Sequence, residues 1–256
     1  MRAVTEEAPP ERPAEPVTPV APRELGRVVF TQTWSNLAFL HWAADPAVVA
    51  PLLPAGVVPD TIGGRTYVGL VPFFMRDVGF GTTPGVPYFG DFPETNVRLY
   101  SVDSAGRRGV VFVSLEASRL ATVLAARRTG LPYMWARMRV TRAGDVWTYR
   151  TVRRWPRPAG PHSIAMVRAG ERIAEPSELE HFLTDRWGLH LRVGGRTCYW
   201  PNEHSRWPLH RAELLALDDE LVPAAGLPEF TRPPDSVLWS PGVDARFGVP
   251  FPVSRR

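Results

Sequence analysis

A short stretch in the first half of the chain carries three polar side chains at alternating positions. Glu94, Asn96 and Arg98 are each two residues apart. Successive side chains of a β-strand point to opposite faces, so these three would share one face of a strand. A carboxylate, an amide and a guanidinium on a buried face are costly unless they pair or bind something. We predict that this face lines a ligand cavity; an ordinary solvent-exposed face is the alternative.

These residue types indicate acid/base chemistry. Glu94 can move a proton, Arg98 can hold a carboxylate or an enolate oxygen, and Tyr133 can donate a hydrogen bond to a developing oxyanion. We predict these three as the catalytic residues. The predicted substrate-binding residues are His41, Phe74, Asn96, Glu116 and Arg127. His41 lies among large apolar residues, a setting typical of a core histidine as well as of a pocket wall.

The basic residues of this chain are all arginine. The sequence contains no lysine, so the 30 residues counted as Lys+Arg are arginines, and the net charge is +4. A guanidinium stays protonated and does not form the imine that a lysine amine forms with a carbonyl. Any lysine-dependent covalent mechanism is therefore excluded. The arginines are scattered among acids without a single basic tract, so we predict no nucleic-acid partner.

Composition places the chain among soluble globular proteins. Hydrophobic residues make up 44% of its 256 positions, and no apolar run approaches the roughly 18 residues of a membrane span. The single cysteine, Cys198, fits a reducing cytoplasm. We expect a cytoplasmic protein without a membrane partner. Glu203, His204 and His210 lack a standard ligand spacing, so neither a metal nor a cofactor is predicted.

The chain divides into a Pro-rich arm and one domain. Residues 1–25 contain six prolines and few apolar groups, which predicts a disordered arm. Residues 26–256 read as a single domain of strands, paired mostly as hairpins, with a Pro-rich tail from Pro233. We expect loops at 79–90, as a lid or a long connection, and at 155–176. Short helices are predicted at 45–53, at 118–128, after the capping box that begins at Ser177, and at 208–217.

Several ordered blocks of sequence resemble a known family. They are W-S-N-L-A-F-L-H-W, L-L-P-A-G-V, G-G-R-T-Y-V-G-L-V-P-F, E-T-N-V-R, V-F-V-S-L-E-A, A-R-R-T-G-L-P-Y and H-S-R-W-P-L-H. In this order, over about residues 28–245, they resemble the YqjF-like family of the acetoacetate decarboxylase-like superfamily. The resemblance implies an α+β, mainly β fold: a closed or nearly closed antiparallel β-barrel with a few peripheral short helices and a ligand cavity inside.

The resemblance breaks at one decisive position. Decarboxylases of the superfamily carry a G-F-P-K segment whose lysine forms the imine with a β-keto acid. Gly130, Leu131 and Pro132 match this segment, and Tyr133 stands in the place of the lysine. The E-T-N-V-R segment resembles the acid-bearing strand of that cavity, which supports inward-facing Glu94 and Arg98. The resemblance therefore implies the fold without the Schiff-base activity.

Two functions and one structural alternative follow. The first is an enzyme that acts on a small oxygenated metabolite, such as a β-keto acid or an enolisable carbonyl, by non-covalent acid/base chemistry. Decarboxylase-like lyase, dehydratase, isomerase and cyclase reactions all suit these residues. The second is a non-catalytic barrel that binds a small ligand. In the structural alternative Glu94 and Arg98 pair on an outer face and Tyr133 packs in the core. A homo-oligomer is compatible with each of them.

The absence of lysine gives a direct test. Incubation with a β-keto acid followed by borohydride reduction should leave the folded chain without a covalent adduct, because its only amine is the N-terminal one. Intact-protein mass spectrometry measures the adduct. A lysine-dependent acetoacetate decarboxylase treated in parallel provides the positive control. A reduced adduct that maps inside the domain would contradict the argument from Tyr133.

Overall fold

The computed structural model describes residues 12–81, 90–156 and 160–253. Within these ranges the chain is mostly strand, with four short helices. The strands are β1 (Phe30–Ala44), β2 (Val57–Pro59), β3 (Thr66–Phe80), β4 (Phe92–Asp103), β5 (Arg108–Ala117), β6 (Tyr133–Ala143), β7 (Val146–Trp155), β8 (His162–Arg172), β9 (Gly188–Val193), β10 (Arg196–His204), β11 (His210–Asp219), β12 (Ser236–Phe247) and β13 (Phe251–Pro252). The helices are α1 (Pro46–Val49), α2 (Leu120–Arg127), α3 (Glu178–Thr184) and α4 (Leu221–Ala224).

The strands close into two rings that share five members. Strands β12, β1, β3, β4 and β5 pair in that order, and the sheet branches at both ends of this row. One branch, through β6, β7, β8 and β11, closes a ring of nine strands. The other, through β9 and β10, closes a ring of seven. Pairs are antiparallel apart from those of β5 with β6 and β9, which are parallel.

The shared strands are covered on both faces, and β3 shows why. Its run Y-V-G-L-V-P-F-F-M is almost continuously apolar, as a strand with no solvent-facing side should be. Val68 and Leu70 pack into the core of the nine-strand ring, whereas Val71 and Phe73 face the other way. The predicted fold class, a closed β architecture with short peripheral helices, is confirmed.

A dense core fills the nine-strand ring. Its largest members are aromatic side chains such as Trp42, Trp147 and Tyr149, and α4 packs Leu221 and Val222 against them. Full burial of each large apolar side chain contributes roughly 1.5–3 kcal/mol. None of the helices in the described part of the chain combines the length and the hydropathy needed to cross a lipid bilayer.

Two of the predicted helices begin at the capping residues that the sequence indicated. The Asp45 side chain accepts a hydrogen bond from the Ala47 amide, with Pro46 as the first helical residue. At α3, Ser177 and Glu180 form the predicted capping box. The third predicted helix is α2, which begins two residues after Ser118, the residue expected to cap it.

Three predictions in the second half of the chain are wrong. The segment at 208–217 is strand β11, not a helix, because its partners β8 and β12 override a weak helical spacing. The expected loop at 155–176 contains β8. The Pro-rich tail contains β12, which closes both rings; its Gly242 pairs with Ser35 of β1, and the register is the same on either side. Most of the expected lid, residues 82–89, lies outside the described residues.

The described part of the arm lies on the domain. The Glu15 amide donates to the Gly106 carbonyl (2.8 Å), and the Trp187 indole donates to the Thr18 carbonyl (2.9 Å). Val17 packs against the core cluster around Tyr100, and Glu15 pairs with Arg23. Residues 12–25 therefore differ from the disordered arm that we predicted, since backbone hydrogen bonds and one apolar contact fix them in place.

Deleting residues 1–25 should lower the melting temperature by about 5 °C or more, because these contacts amount to a few kcal/mol in a domain of this size. Differential scanning calorimetry measures the shift. Deletion of residues 1–11 alone is the matched control, since it removes none of the contacts described above. Equal melting temperatures for the two truncated chains would show that the contacts of residues 12–25 do not stabilise the domain.

Candidate functional site

The seven-strand ring encloses a cavity of about 540 Å³. The wall is mainly aliphatic and aromatic, and α2 lies across one end with Ala126 facing inward. A smaller set of polar side chains interrupts this apolar wall. They include Gln32, Glu94, Asn96, Arg98, Tyr133, Thr184, Arg186, Asn202 and His204. An apolar cavity with a few convergent polar groups is the usual form of a small-molecule site.

The alternation predicted for β4 is observed. Glu94, Asn96 and Arg98 face the cavity, whereas Val97 and Leu99 belong to the core of the nine-strand ring. Tyr133, at the start of β6, lines the same cavity. The convergence on one cavity excludes the structural alternative in which Glu94 and Arg98 pair on an outer face.

Glu94 is a buried carboxylic acid with one strong partner. The Tyr133 hydroxyl donates a hydrogen bond to its Oε2 at 3.0 Å. Burial raises the pKa of Glu94 to about 8, and the hydrogen bond from Tyr133 opposes this shift only in part. Burial also holds the pKa of Tyr133 well above its usual value. At neutral pH the site therefore holds a protonated carboxyl and a neutral phenol.

Arg98 is a half-buried guanidinium, and no carboxylate of the described residues lies within 4 Å of it. Its Nε donates to the Tyr100 hydroxyl (3.2 Å) and its Nη2 to the Leu183 carbonyl (2.9 Å). The expected ion pair with Glu94 is not formed. The two Cα atoms are four strand residues apart, about 13 Å, and Arg98 points away toward Tyr100. The positive charge of Arg98 is left for a ligand.

His41 supports Arg98 from behind. The Tyr100 hydroxyl donates to the Leu183 carbonyl at 2.8 Å, so the His41 Nε2, 2.7 Å away, must be the donor in its contact with that hydroxyl. His41 is fully buried, and its Nδ1 has no hydrogen-bond partner within the described structure. Desolvation and the neighbouring Arg98 hold the pKa of His41 well below its usual value. A neutral histidine thus fixes the Tyr100 hydroxyl that Arg98 binds.

A glycine on β3 makes room for this network. Gly69 pairs with Arg98 across the β3–β4 ladder. A Cβ at this position would lie 3.0 Å from the His41 Cδ2 and 3.1 Å from the Arg98 Cγ. Both distances are shorter than ordinary van der Waals contact, so a side chain at position 69 would displace one of the two groups.

A second guanidinium lines the cavity, and it already has a carboxylate partner. Arg186 pairs with Asp60, which also pairs with Arg108, and its Nε donates to the Phe182 carbonyl. Its guanidinium carbon lies 4.8 Å from the centre of the Tyr100 ring. Arg186 therefore braces the wall beside Arg98, whose own charge has no such carboxylate partner.

Three further polar side chains line the wall: Asn96 was predicted as a binding residue, whereas Asn202 and His204 were not. The buried Oδ1 atoms of Asn96 and Asn202 have no hydrogen-bond partner in the described part of the chain. His204 donates from Nδ1 to the Ser205 carbonyl at 2.7 Å, which leaves its Nε2 as an acceptor. Desolvation lowers the pKa of His204 to about 4, so this ring is neutral at pH 7. These unused acceptors are available to a ligand that carries donors.

Four predicted binding residues do not line the cavity: His41, which lies behind Arg98, and Phe74, Arg127 and Glu116. Phe74 faces an outer groove, and its neighbour Phe73 faces the cavity; an unbroken apolar run gives no alternation from which to choose between them. Arg127 is exposed on α2, where it donates to the Tyr133 carbonyl (2.7 Å). Glu116 is fully buried on the opposite face of β5, paired with Arg153 (2.6 Å).

A β-bulge explains the position of Glu116. Val97 pairs with Ser114 and Arg98 with Phe112, so Val113 is an extra residue in β5. Phe112 and Leu115 therefore both face the cavity, and Ser114 and Glu116 both face away. Regular alternation from Phe112 would have placed Glu116 in the cavity, which is the arrangement that the sequence predicted.

Metal ligation finds no support in the part of the chain that the structure describes. It contains no group of three or more His, Cys, Asp or Glu side chains that could hold a metal ion. His204 and His210 make separate hydrogen bonds to the Ser205 and Gly170 carbonyls.

The ring and its enclosed cavity define the acetoacetate decarboxylase-like fold. The acetoacetate decarboxylase from Legionella pneumophila superposes with a TM-score of 0.63 at 16% identity, over 91% of this chain and 92% of that one. The enduracididine biosynthesis enzyme MppR, in complex with pyruvate, superposes with a TM-score of 0.62 at 14% identity, over 91% of this chain and 93% of that one. At such identities the likeness establishes the fold alone.

The family follows from the sequence. The model of the DUF2071 family, described as an uncharacterized conserved protein, matches residues 31–244. The uncharacterized protein YqjF of Bacillus subtilis (strain 168) is 29% identical over 220 residues, which is 82% of this chain and 90% of that protein. This chain belongs to the DUF2071 family, and the predicted resemblance to YqjF-like proteins is confirmed.

Replacing Glu94 with Gln should change how stability depends on pH. The native pKa of about 8 lies above the unfolded value of 4.5. Between pH 4.5 and about 8 the folded state therefore binds more protons than the unfolded state. The wild-type chain should therefore lose stability as the pH rises from 4.5 to about 8, and Glu94→Gln should not. Each unit of difference between the folded and unfolded pKa changes the free energy of unfolding by about 1.4 kcal/mol. The variant should therefore melt about 5 °C or more above wild type at pH 8.5.

Thermal melts from pH 5 to pH 9 check this prediction. Gln can still accept the hydrogen bond from Tyr133, so the shape of the site is retained. Glu229→Gln, at an exposed position, is the matched control. If the curves of Glu94→Gln and wild type run parallel across this range, Glu94 is not a desolvated acid.

Proposed function

We propose that this chain acts on a small oxygenated metabolite with a carbonyl group, by acid/base chemistry without a covalent intermediate. The observation that carries the proposal is the pair formed by Glu94 and Tyr133: a carboxyl kept protonated at neutral pH, inside a cavity that also holds the free charge of Arg98. A carboxylic acid with a pKa near the working pH is well suited to proton transfer. Oxo acids are the first substrates to test, since the structural neighbour MppR was solved with pyruvate.

The proposed step is proton donation to a carbonyl oxygen. Because Tyr133 donates to Oε2 of Glu94, the carboxyl proton is assigned to Oε1. As the substrate's C–H or C–CO₂⁻ bond breaks, its electron pair forms the C=C bond of an enol, and the carbonyl oxygen takes the proton from Oε1. A C–H proton leaves to water; a carboxylate leaves as CO₂. When the enol returns to the ketone, its carbon takes a proton from water and its oxygen returns one to Glu94.

The role proposed for Arg98 is to orient the substrate. Its Nε and Nη2 are used by Tyr100 and Leu183, so Nη1 remains for a carboxylate or enolate oxygen. His41 and Gly69 hold the guanidinium in this position and are proposed as positioning residues. Asn96, between Glu94 and Arg98 on β4, presents its free Oδ1 to the same ligand.

The alternative function is a binding protein that keeps the cavity and performs no chemistry. Most side chains of the wall are apolar, and only two are candidate reacting groups. Such a wall suits tight binding of a ligand as well as its turnover. The two functions differ in one measurable property, since only the enzyme exchanges protons with its ligand.

A cytoplasmic location and self-association also stay predictions for this chain.

Proton exchange in D₂O tests the proposal. Incubated with pyruvate, levulinate or acetoacetate, the wild-type chain should catalyse deuterium uptake next to the carbonyl, or release of CO₂ from acetoacetate, both measured by NMR. Glu94→Gln should abolish the rate, and Tyr133→Phe should reduce it about tenfold or more. The rate should be level below pH 8 and fall above it, because the acid form of Glu94 is required.

Glu229→Gln should retain the wild-type rate, since this side chain is exposed and far from the wall of the cavity. Binding of the same oxo acids without exchange or CO₂ release, by wild type and Glu94→Gln alike, would favour the non-catalytic binding protein. A rate that rises above pH 8 would show that Glu94 does not act as the acid.

A further inference from the structure

The cavity is much larger than the simplest oxo acids. At about 30 Å³ per water molecule in the liquid, a volume of about 540 Å³ corresponds to on the order of 18 non-hydrogen atoms. Pyruvate and acetoacetate have about six and seven such atoms, so either would leave more than half of this space to water. A cavity of this size and lining is typical of a site for a larger organic molecule.

The wall is divided into a polar strip and an apolar surface. The strip follows β4 from Arg98 to Glu94 and ends at Tyr133. Apart from Gln32, Asn202 and His204, the wall contributed by β1, β5, β10 and β12 and by the segment before β6 is lined by large apolar side chains. They include Phe30, Phe112, Leu131, Trp200 and Phe247. Hydroxyl-rich ligands would leave most of their polar groups without partners along this surface, which disfavours their binding.

The apolar surface continues to the rim. Phe80, at the end of β3, lines the cavity and is 64% exposed, so it marks the opening. Val29 lies beside it, and Ala125 of α2 and Thr129, two residues after α2, are exposed members of the same wall. Arg98, by contrast, reaches inward to the Leu183 carbonyl and the buried Tyr100 hydroxyl. The charged end is therefore inside and the apolar end is at the opening.

We infer that the ligand of this cavity is an amphipathic carboxylate whose acid group binds Arg98 and whose alkyl chain or aromatic ring extends along the apolar wall toward Phe80. This inference rests on the proposed function to the extent that Arg98 is the carboxylate-binding group. It adds the substrate class: an oxo acid with an apolar tail of about six to twelve carbons, as the volume allows. Short oxo acids such as pyruvate would be poor substrates.

A chain-length series tests the tail. The probes are the sodium salts of straight-chain carboxylic acids with two, four, six, eight and ten carbons, titrated into the wild-type chain by isothermal calorimetry. Burial of each methylene is worth about 0.8 kcal/mol, so the association constant should rise about fourfold per carbon, and about 100-fold or more from butanoate to octanoate. An association constant that is flat or falls with chain length would overturn the inference.

The acid group is tested with an uncharged analogue. Octanamide has nearly the shape of octanoate without its charge, and it should bind wild type at least tenfold more weakly. The variant Arg98→Gln should bind the two probes within about threefold of each other. Equal affinity of octanoate and octanamide for wild type would overturn the assignment of the carboxylate to Arg98.

A matched pair of variants on α2 tests the position of the tail. Ala126 lines the cavity, whereas Leu124 is 47% exposed and does not. Ala126→Trp should fill part of the apolar space and lower octanoate affinity at least tenfold, and Leu124→Trp should leave it unchanged. The chain-length series on wild type stands independently if Ala126→Trp does not fold. A folded Ala126→Trp that binds octanoate like wild type would place the tail elsewhere and overturn the inference.

The failure of this inference and of the proposed function can be told apart. A steep chain-length series without deuterium exchange into any oxo acid would contradict the proposed acid/base function and leave the ligand class standing. Exchange into pyruvate, together with a flat series, would leave the acid/base function standing and overturn the ligand class. With both correct, 3-oxodecanoate should exchange or decarboxylate with a kcat/KM at least tenfold above that of acetoacetate.

Discussion

The double coverage of the five shared strands is the constraint on which the rest of this structure depends. A strand with no solvent-facing side must be apolar throughout or must pair each polar group. From Tyr67 to Met75 β3 is apolar on both faces, and Gly69, which has no side chain, leaves space for two neighbours. In β4 the face toward the nine-strand core is mainly apolar, whereas the cavity face carries the polar side chains of Glu94, Asn96 and Arg98. This departure from the apolar pattern places Glu94, Asn96 and Arg98 in the cavity, where a ligand can contact them.

The two charged positions of that strip respond to burial in opposite ways. A carboxylic acid can escape the cost of desolvation by keeping its proton, and Glu94 does so. Arg98 keeps its charge at any pH that the protein survives, because a guanidinium does not lose its proton. A lysine at the same place could have become neutral and nucleophilic. The arginine-only composition therefore fixes the character of the site: a permanent cation and a switchable acid, with no amine.

The sequence predicted those features that depend on neighbours close in the chain. Alternation along β4, the capping box at α3 and the Asp45 cap needed only local spacing. The failures all involve partners far along the chain. The bulge at Val113, which turns Glu116 away from the cavity, is visible only in the pairing of β5 with β4. The segment at 208–217 has a weak helical spacing, and pairing with β8 and β12 makes it part of strand β11. The sequence also could not show whether Phe73 or Phe74 faces inward, because an unbroken apolar run has no polar residues to mark its outer face.

The unpaired charge of Arg98 has a thermodynamic consequence for Glu94. An anion that enters the cavity brings a second negative charge near a carboxyl that already resists ionisation, so it must raise the pKa of Glu94 further. Near pH 8 the uptake of an anion is then accompanied by the uptake of a proton from solution. Because such coupling is reciprocal, the proton and the anion each favour the binding of the other. The protein would take in its ligand as the neutral sum of an anion and a proton, although the two bind four residues apart on the same strand.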